Sequence, residues 1–239
     1  MTGTFHTTRW SLIAGAGAAD EARRSAALGE LCAAYWKPLY AFLRARGRAP
    51  QDSADLVQDL FAKLLEKPAL GELEPGTGTG RFRNWLLTVL VHHERDVRDH
   101  GRALRRGGGA SSISINAEEG ERRFAEVQDP SAGPEELFER AWVQEVLENA
   151  RQVLENEHIA RGKRGVFAAL SPLLTEEVDP GARMALAKQL DLSPVALRVA
   201  LHRMKARYRE LILELVRETL NDPSESADEL DALIGALAR

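Results

Sequence analysis

Leu28, Leu31, Cys32, Tyr35, Leu39, Phe42 and Leu43 follow one another at steps of three and four, on one face of a helix over residues 25–46 that Gly47 closes. The spacing returns in Leu56, Val57, Leu60, Phe61, Leu64 and Leu65, after Pro50 and Asp52 and before Pro68, a helix with its start and stop signals. Residues 67–81 are too rich in Gly and Pro for regular structure and read as an exposed loop. A third helix is expected from Phe82 to Leu104, ahead of Gly107-Gly108-Gly109. Helical periodicity resumes at Leu137, Phe138, Ala141, Trp142, Val146 and Leu147, again over Val166–Leu174, and from Ala182 to Leu220. No stretch has the strict alternation and β-branched enrichment of a strand, so the expected fold class is all-α.

At 239 residues the chain has length for two modest domains. An N-terminal segment (1–24) precedes a helical bundle (25–106), and a second helical domain (137–220) precedes a tail (221–239) that ends in a short amphipathic helix. Residues 107–136 open with a run of three glycines, followed by a Ser-rich patch and then acidic residues with Pro130 and Pro134; the composition predicts a flexible, acidic linker. The net charge of −4 argues, taken whole, against a nucleic-acid partner. By segment the result reverses. Arg81–Arg106 carries seven basic against three acidic residues, and Arg183–Glu210 seven against two. Ala117–Glu148 carries ten acidic against three basic, and residues 211–239 seven against two. Two basic helices are separated and followed by acidic segments that could cover a basic DNA face.

Near the C-terminus, Ala182–Leu190 predicts a short helix with Ala187 and Leu190 turned inward, and Asp191-Leu192-Ser193 a three-residue turn. Ser193-Pro194 is a strong start for a second helix, since the serine oxygen caps free amides and proline at the first position needs no donor. Leu197, Leu201, Met204, Tyr208, Leu211 and Leu215 line its inner face. Val195, Ala196, Arg198, Val199, His202, Arg203, Lys205 and Arg209 fall outside or at the margins. This is the layout of a DNA-reading helix-turn-helix over residues 182–209. Arg198 and Arg203 are placed for base edges, and Lys205, Arg207 and Arg209 for phosphates. A plain αα-hairpin with solubilising charges is the alternative.

The chain resembles the extracytoplasmic-function class of bacterial RNA polymerase sigma factors, in the branch that opens with a Thr-Thr-Arg-Trp-Ser-Leu segment. The residues that carry the resemblance are Thr7–Leu12, Leu31–Tyr40, Asp52–Phe61, Gly80–Leu87 and the helix-turn-helix from Leu190 to Tyr208, in the family order. The resemblance implies that residues 25–106 are sigma region 2, which grips the β′ clamp helices of core polymerase and melts the −10 element. Residues 137–220 would be region 4, which reads the −35 element and docks on the β flap. The implied partners are therefore core polymerase and promoter DNA, with an anti-sigma protein or other regulator left open.

On this reading the core-binding set is Asp52, Asp55, Leu56, Gln58, Asp59 and Phe61, an acidic edge beside apolar residues that suits a basic, partly apolar helix. The family more often has an acidic residue where this chain has Ala54, which implies a lowered affinity for core. The −10 set is Arg81, Arg83, Asn84, His92, Arg95, Asp96 and Arg98, with residues 67–80 as the loop that holds a flipped base. Trp85 shares the spacing of Phe82, Leu86 and Val89 and reads as a packing residue. The −35 set is Ser193, Val195, Ala196, Arg198, Val199, His202, Arg203, Lys205 and Arg209. A helical interaction protein or helix-turn-helix regulator that does not itself initiate transcription is the second reading.

Enzyme chemistry is not expected. His92-His93-Glu94 lacks the spacing of a helical zinc motif, and His93, Asp96 and His100 find no further candidate ligand in the sequence. Gly76–Gly80 lacks the Gly-Lys-Ser/Thr ending of a phosphate loop. Cys32 falls on an apolar helix face and reads as a structural thiol. No cofactor, metal or membrane partner is expected. A single cysteine, and an N-terminus without a basic start and apolar run, fit a reducing, cytoplasmic location.

Overall fold

The computed structural model describes residues 21–66, 82–100, 115–175 and 179–217. The Thr7–Leu12 segment, the 67–81 loop with Arg81, the triple glycine and the tail lie outside them. Among the described residues the chain is all-α: α1 (Glu21–Ala45), α2 (Pro50–Glu66), α3 (Phe82–His100), α4 (Ala117–Val127), α5 (Pro134–Ala160), α6 (Arg164–Leu170), a 3-10 turn (Ser171–Leu174), α7 (Pro180–Gln189) and α8 (Pro194–Arg217). No described helix is long and apolar enough to cross a membrane. The chain divides into two compact units, one holding α1 to α4 and α5 as far as Glu145, the other running from Val146 to Leu215.

In the first unit α1, α2 and α3 pack on one another. Tyr35, Leu39, Phe42 and Leu43 of α1, Val57, Leu60 and Phe61 of α2, and Leu86 and Leu90 of α3 are buried. Pro38 stands inside α1 and removes one rung of its ladder; burial of the residues around it holds the helix. The end of α1 is a left-handed cap. Gly47 has φ +83°, its amide donates to Arg44 O and that of Arg48 to Leu43 O, so the last carbonyls are satisfied through a conformation that glycine adopts without strain.

Here the structure corrects the part of the flexible linker expected over 107–136 that lies among the described residues, 115–136. Residues 117–127 form α4, which packs on α1 and α2. An isolated helix of this length is marginal in water. Tertiary burial supplies what is missing: Phe124 and Val127 join Tyr40, Ala41, Ala54, Leu137 and Ala141 in one cluster, and Phe124 and Val127 each gain roughly 1.5–3 kcal/mol from leaving water. Asn116 caps α4 by accepting from the amides of Glu118 and Glu119. Glu121 receives hydrogen bonds from Tyr40 Oη (2.8 Å) and Arg44 Nη2 (3.2 Å). The expected boundary at residue 137 moves for the same reason, since Leu137 and Ala141 belong to this cluster. Lys37 Nζ adds a 2.9 Å ion pair to Glu145.

In the second unit Ala150, Leu154, Phe167, Leu170, Leu173, Ala187, Leu197, Met204, Leu211 and Ile212 are buried. Tyr208 Oη donates to Leu147 O at 3.0 Å, fixing α8 to the second half of α5, and burial pushes the phenol up to about 12.

Candidate nucleic-acid interface

α7 begins at Asp179, whose carboxylate accepts from the amides of Gly181 (2.7 Å) and Ala182 (3.1 Å), with Pro180 at the first helical position. It therefore starts ahead of the Ala182 expected from periodicity. Its end repeats the cap of α1 with another residue type. Asp191 has φ +52°, its amide donates to Lys188 O, and that of Leu192 to Ala187 O. Aspartate is among the few side chains that accept this conformation, so the turn that often carries glycine is made here by Asp191. Ser193 Oγ then accepts from the Ala196 amide at 3.1 Å and α8 begins at Pro194.

The two faces of α8 are chemically opposite. Leu197, Met204 and Leu211 are buried, and Leu201, Tyr208 and Leu215 half-buried. At about 100° per residue the opposite side carries Val195, Arg198, Val199, His202 and Arg209, flanked by Arg203 and Lys205. All seven are exposed, as is Ser193, and Ala196 is half-buried at the margin. Arg183 and Lys188 of α7 are exposed too, and so is Met184, an apolar residue the periodicity did not single out. Among the described residues, none of Arg183, Lys188, Arg198, Arg203, Lys205 and Arg209 takes part in an ion pair. Arg207 differs. Its Nε and Nη2 donate to Glu157 at 3.2 and 2.8 Å and its Nη1 to Glu210 and Glu214, so its expected phosphate role is replaced by a structural one.

On α2, Asp52, Asp55 and Asp59 are exposed along one edge and Gln58 is half-buried beside it. Phe61 is corrected. It lies nine residues beyond Asp52, about 180° round the helix, and is 2% exposed in the core, so it offers no contact surface; Leu56 is buried as well. Asp55 accepts from Gln51 at 2.9 Å. Asp59 lies 3.0 Å from Nε2 of His93 and 3.3 Å from Lys63 Nζ, which also meets the His93 Nδ1 at 3.3 Å. The ammonium can only donate, so Nδ1 is the acceptor and the neutral ring carries its proton on Nε2, which lies near Asp59 without forming a hydrogen bond to it. Burial first, and then the Lys63 charge, lower the His93 pKa.

On α3, His92, Arg95, Asp96 and Arg98 are exposed and Asn84 is half-buried. Arg83 is corrected. It projects from the core side of the helix, 1% exposed, with its guanidinium 4.3 Å from the Trp142 ring centroid and its Nε 2.9 Å from a Glu139 oxygen. The acidic stretch neutralises this cation, which is therefore not presented to a ligand. Trp85, expected to pack, is only half-buried. Glu94, by contrast, is buried and bridges Arg46 (3.1 Å) and Arg48 (2.7 Å) at the end of α1.

Compared with known proteins, the chain matches no family model, no curated protein and no solved structure.

Proposed function

We propose that this chain is a promoter-specificity subunit of bacterial RNA polymerase, a sigma factor of the extracytoplasmic-function class that works in the cytoplasm. The observation that carries the reading is the exposed face of α8, where cations that have no ion-pair partner among the described residues surround a capped helix start opposite a largely apolar inner stripe. Such a face attracts phosphates and presents side chains to base edges. The exposed Asp52–Asp55–Asp59 edge of α2 suits a basic partner helix, which on this reading is the β′ clamp. Asn84, His92, Arg95, Asp96 and Arg98 serve the melted −10 strand, and region 4 also meets the β flap.

A specific observation also favours the second reading, a sigma-like regulator that does not initiate. Burial of Arg83 and Phe61 removes two of the contacts that initiation would use. Run-off transcription with bacterial core polymerase on genomic fragments separates the two. Promoter-dependent product supports the specificity subunit; core capture without any such product supports the regulator.

A further inference from the structure

Val195 and Val199 stand at the start of α8 with 61% and 41% of their surface exposed. They are four residues apart and share one side of the helix, about 6 Å apart along its axis. Arg198, His202 and Arg203 surround them, all exposed. In the free protein much of this strip stays in water. A β-branched side chain lowers helix propensity relative to alanine, and partial burial offsets the loss only in part. Its occupant must be anionic around the strip and apolar at its centre. Duplex DNA meets both requirements, because phosphates border the major groove and the C5-methyl of thymine is the apolar group displayed on its floor. Valine suits that contact, since its stiff χ1 holds two methyl groups at a fixed position.

We propose that Val195 and Val199 are specificity determinants that read thymine methyl groups, and that the duplex selected by this chain carries thymines within about two base-pair steps of each other, at ~3.4 Å per step. This rests on the reading of α8 as a groove-entering helix and adds to it the base type that the apolar residues choose. Arg198, between the two valines, is left for an adjacent guanine, the base edge that arginine pairs with in bidentate fashion.

The test begins with selection of duplexes by the full chain from a random-sequence pool at low ionic strength. The tightest duplex is then remade with deoxyuridine replacing thymidine at one position at a time, which removes only the methyl group. The expected result is a loss of about fourfold in wild-type affinity at one or two positions, the transfer free energy of one methyl. Val195→Ala or Val199→Ala, both favourable to the helix, should bind the two duplexes equally at the matching position. Indifference to deoxyuridine throughout, or a sensitivity unchanged in both variants, overturns the proposal and leaves a protein surface as the occupant of the strip. A selection that enriches no sequence is a different failure, and overturns the groove-reading role of α8 together with the thymine contact.

Discussion

Gly120 of α4 lies so close to Tyr40 of α1 that a Cβ placed on it would stand 2.8 Å from Cζ of the ring. In an exposed helix, glycine to alanine gains up to about 1 kcal/mol. Here the ring is buried, and its hydroxyl is held by Glu121, so it cannot swing aside cheaply. Gly120→Ala should therefore destabilise the first unit by about 1–3 kcal/mol. Gly29→Ala, which meets nothing within 4 Å, should be neutral or stabilising. Urea unfolding of the two variants decides the point, and equal behaviour would remove the close approach as the reason for glycine.

Arg83→Ala tests whether the cation serves the fold or a ligand. The substitution strips the Glu139 carboxylate of its partner and leaves a void over Trp142. Breaking a buried pair costs about 3–5 kcal/mol; Glu139 keeps 30% exposure, so the lower end is expected. The midpoint of denaturation should fall, while the salt dependence of DNA binding by the protein that remains folded should stay as in wild type. A shallower salt slope would return Arg83 to the interface.

His93 gives the first unit an acid-sensitive joint. Its folded pKa lies below the ordinary 6.5, through burial and then Lys63, against the opposing pull of Asp59 and Asp96. Between the folded and unfolded values the unfolded chain holds more protons, so stability rises with pH there. His93 thus contributes fully above pH 6.5, and its contribution is lost as pH falls below that value. Thermal melts from pH 7.5 down to pH 5.5 should show the decline, and His93→Gln, which does not titrate in this range, should flatten this part of the profile.

Asp191 closes α7 at φ +52°, where Gly47 and Gly162 close α1 and α5 at +83° and +68°. Glycine relieves the left-handed strain but gives the unfolded chain more freedom. Asp191→Gly should accordingly stabilise the second unit by no more than about 1 kcal/mol. Asp191→Val, β-branched where φ is positive, should destabilise it by about 1–2 kcal/mol or more. Identical melting temperatures for the two variants would show that the turn does not bear on stability.

The helices of both units other than α4 follow from apolar spacing, and the helix-turn-helix from Ser193-Pro194 and the stripe from Leu197 to Leu215. The edge Asp52–Asp55–Asp59 was legible too, and helical angle alone sets Phe61 opposite it. α4 escaped because its own apolar content is slight, Phe124 and Val127 among four glutamates, and its stability comes from α1 and α2. Its one local signal is Asn116 followed three residues later by Glu119, the pattern of a capping box. The fate of Arg83 was not legible, since Glu139 stands 56 residues away, and charge counted along a segment does not tell a presented cation from a neutralised one.

Lys205 and Arg207 put that distinction to use two residues apart on one helix. Lys205 is exposed and has no ion pair among the described residues, whereas Arg207 is gripped by Glu157, Glu210 and Glu214. A cation that contacts phosphate releases counterions when it binds, so its removal lowers the slope of log affinity against log salt by about 1 and weakens all sequences alike. Lys205→Ala should do this with little change in stability. Arg207→Ala should leave the slope unchanged and lower stability, because it removes the ion pair that ties α8 to Glu157 of α5 and withdraws a cation from Glu157, Glu210 and Glu214 together. Titrations of a selected duplex at several salt concentrations, beside a urea curve for each variant, give both readouts. The reverse pattern, with Arg207 setting the slope and Lys205 silent, would mean that DNA displaces the three glutamates.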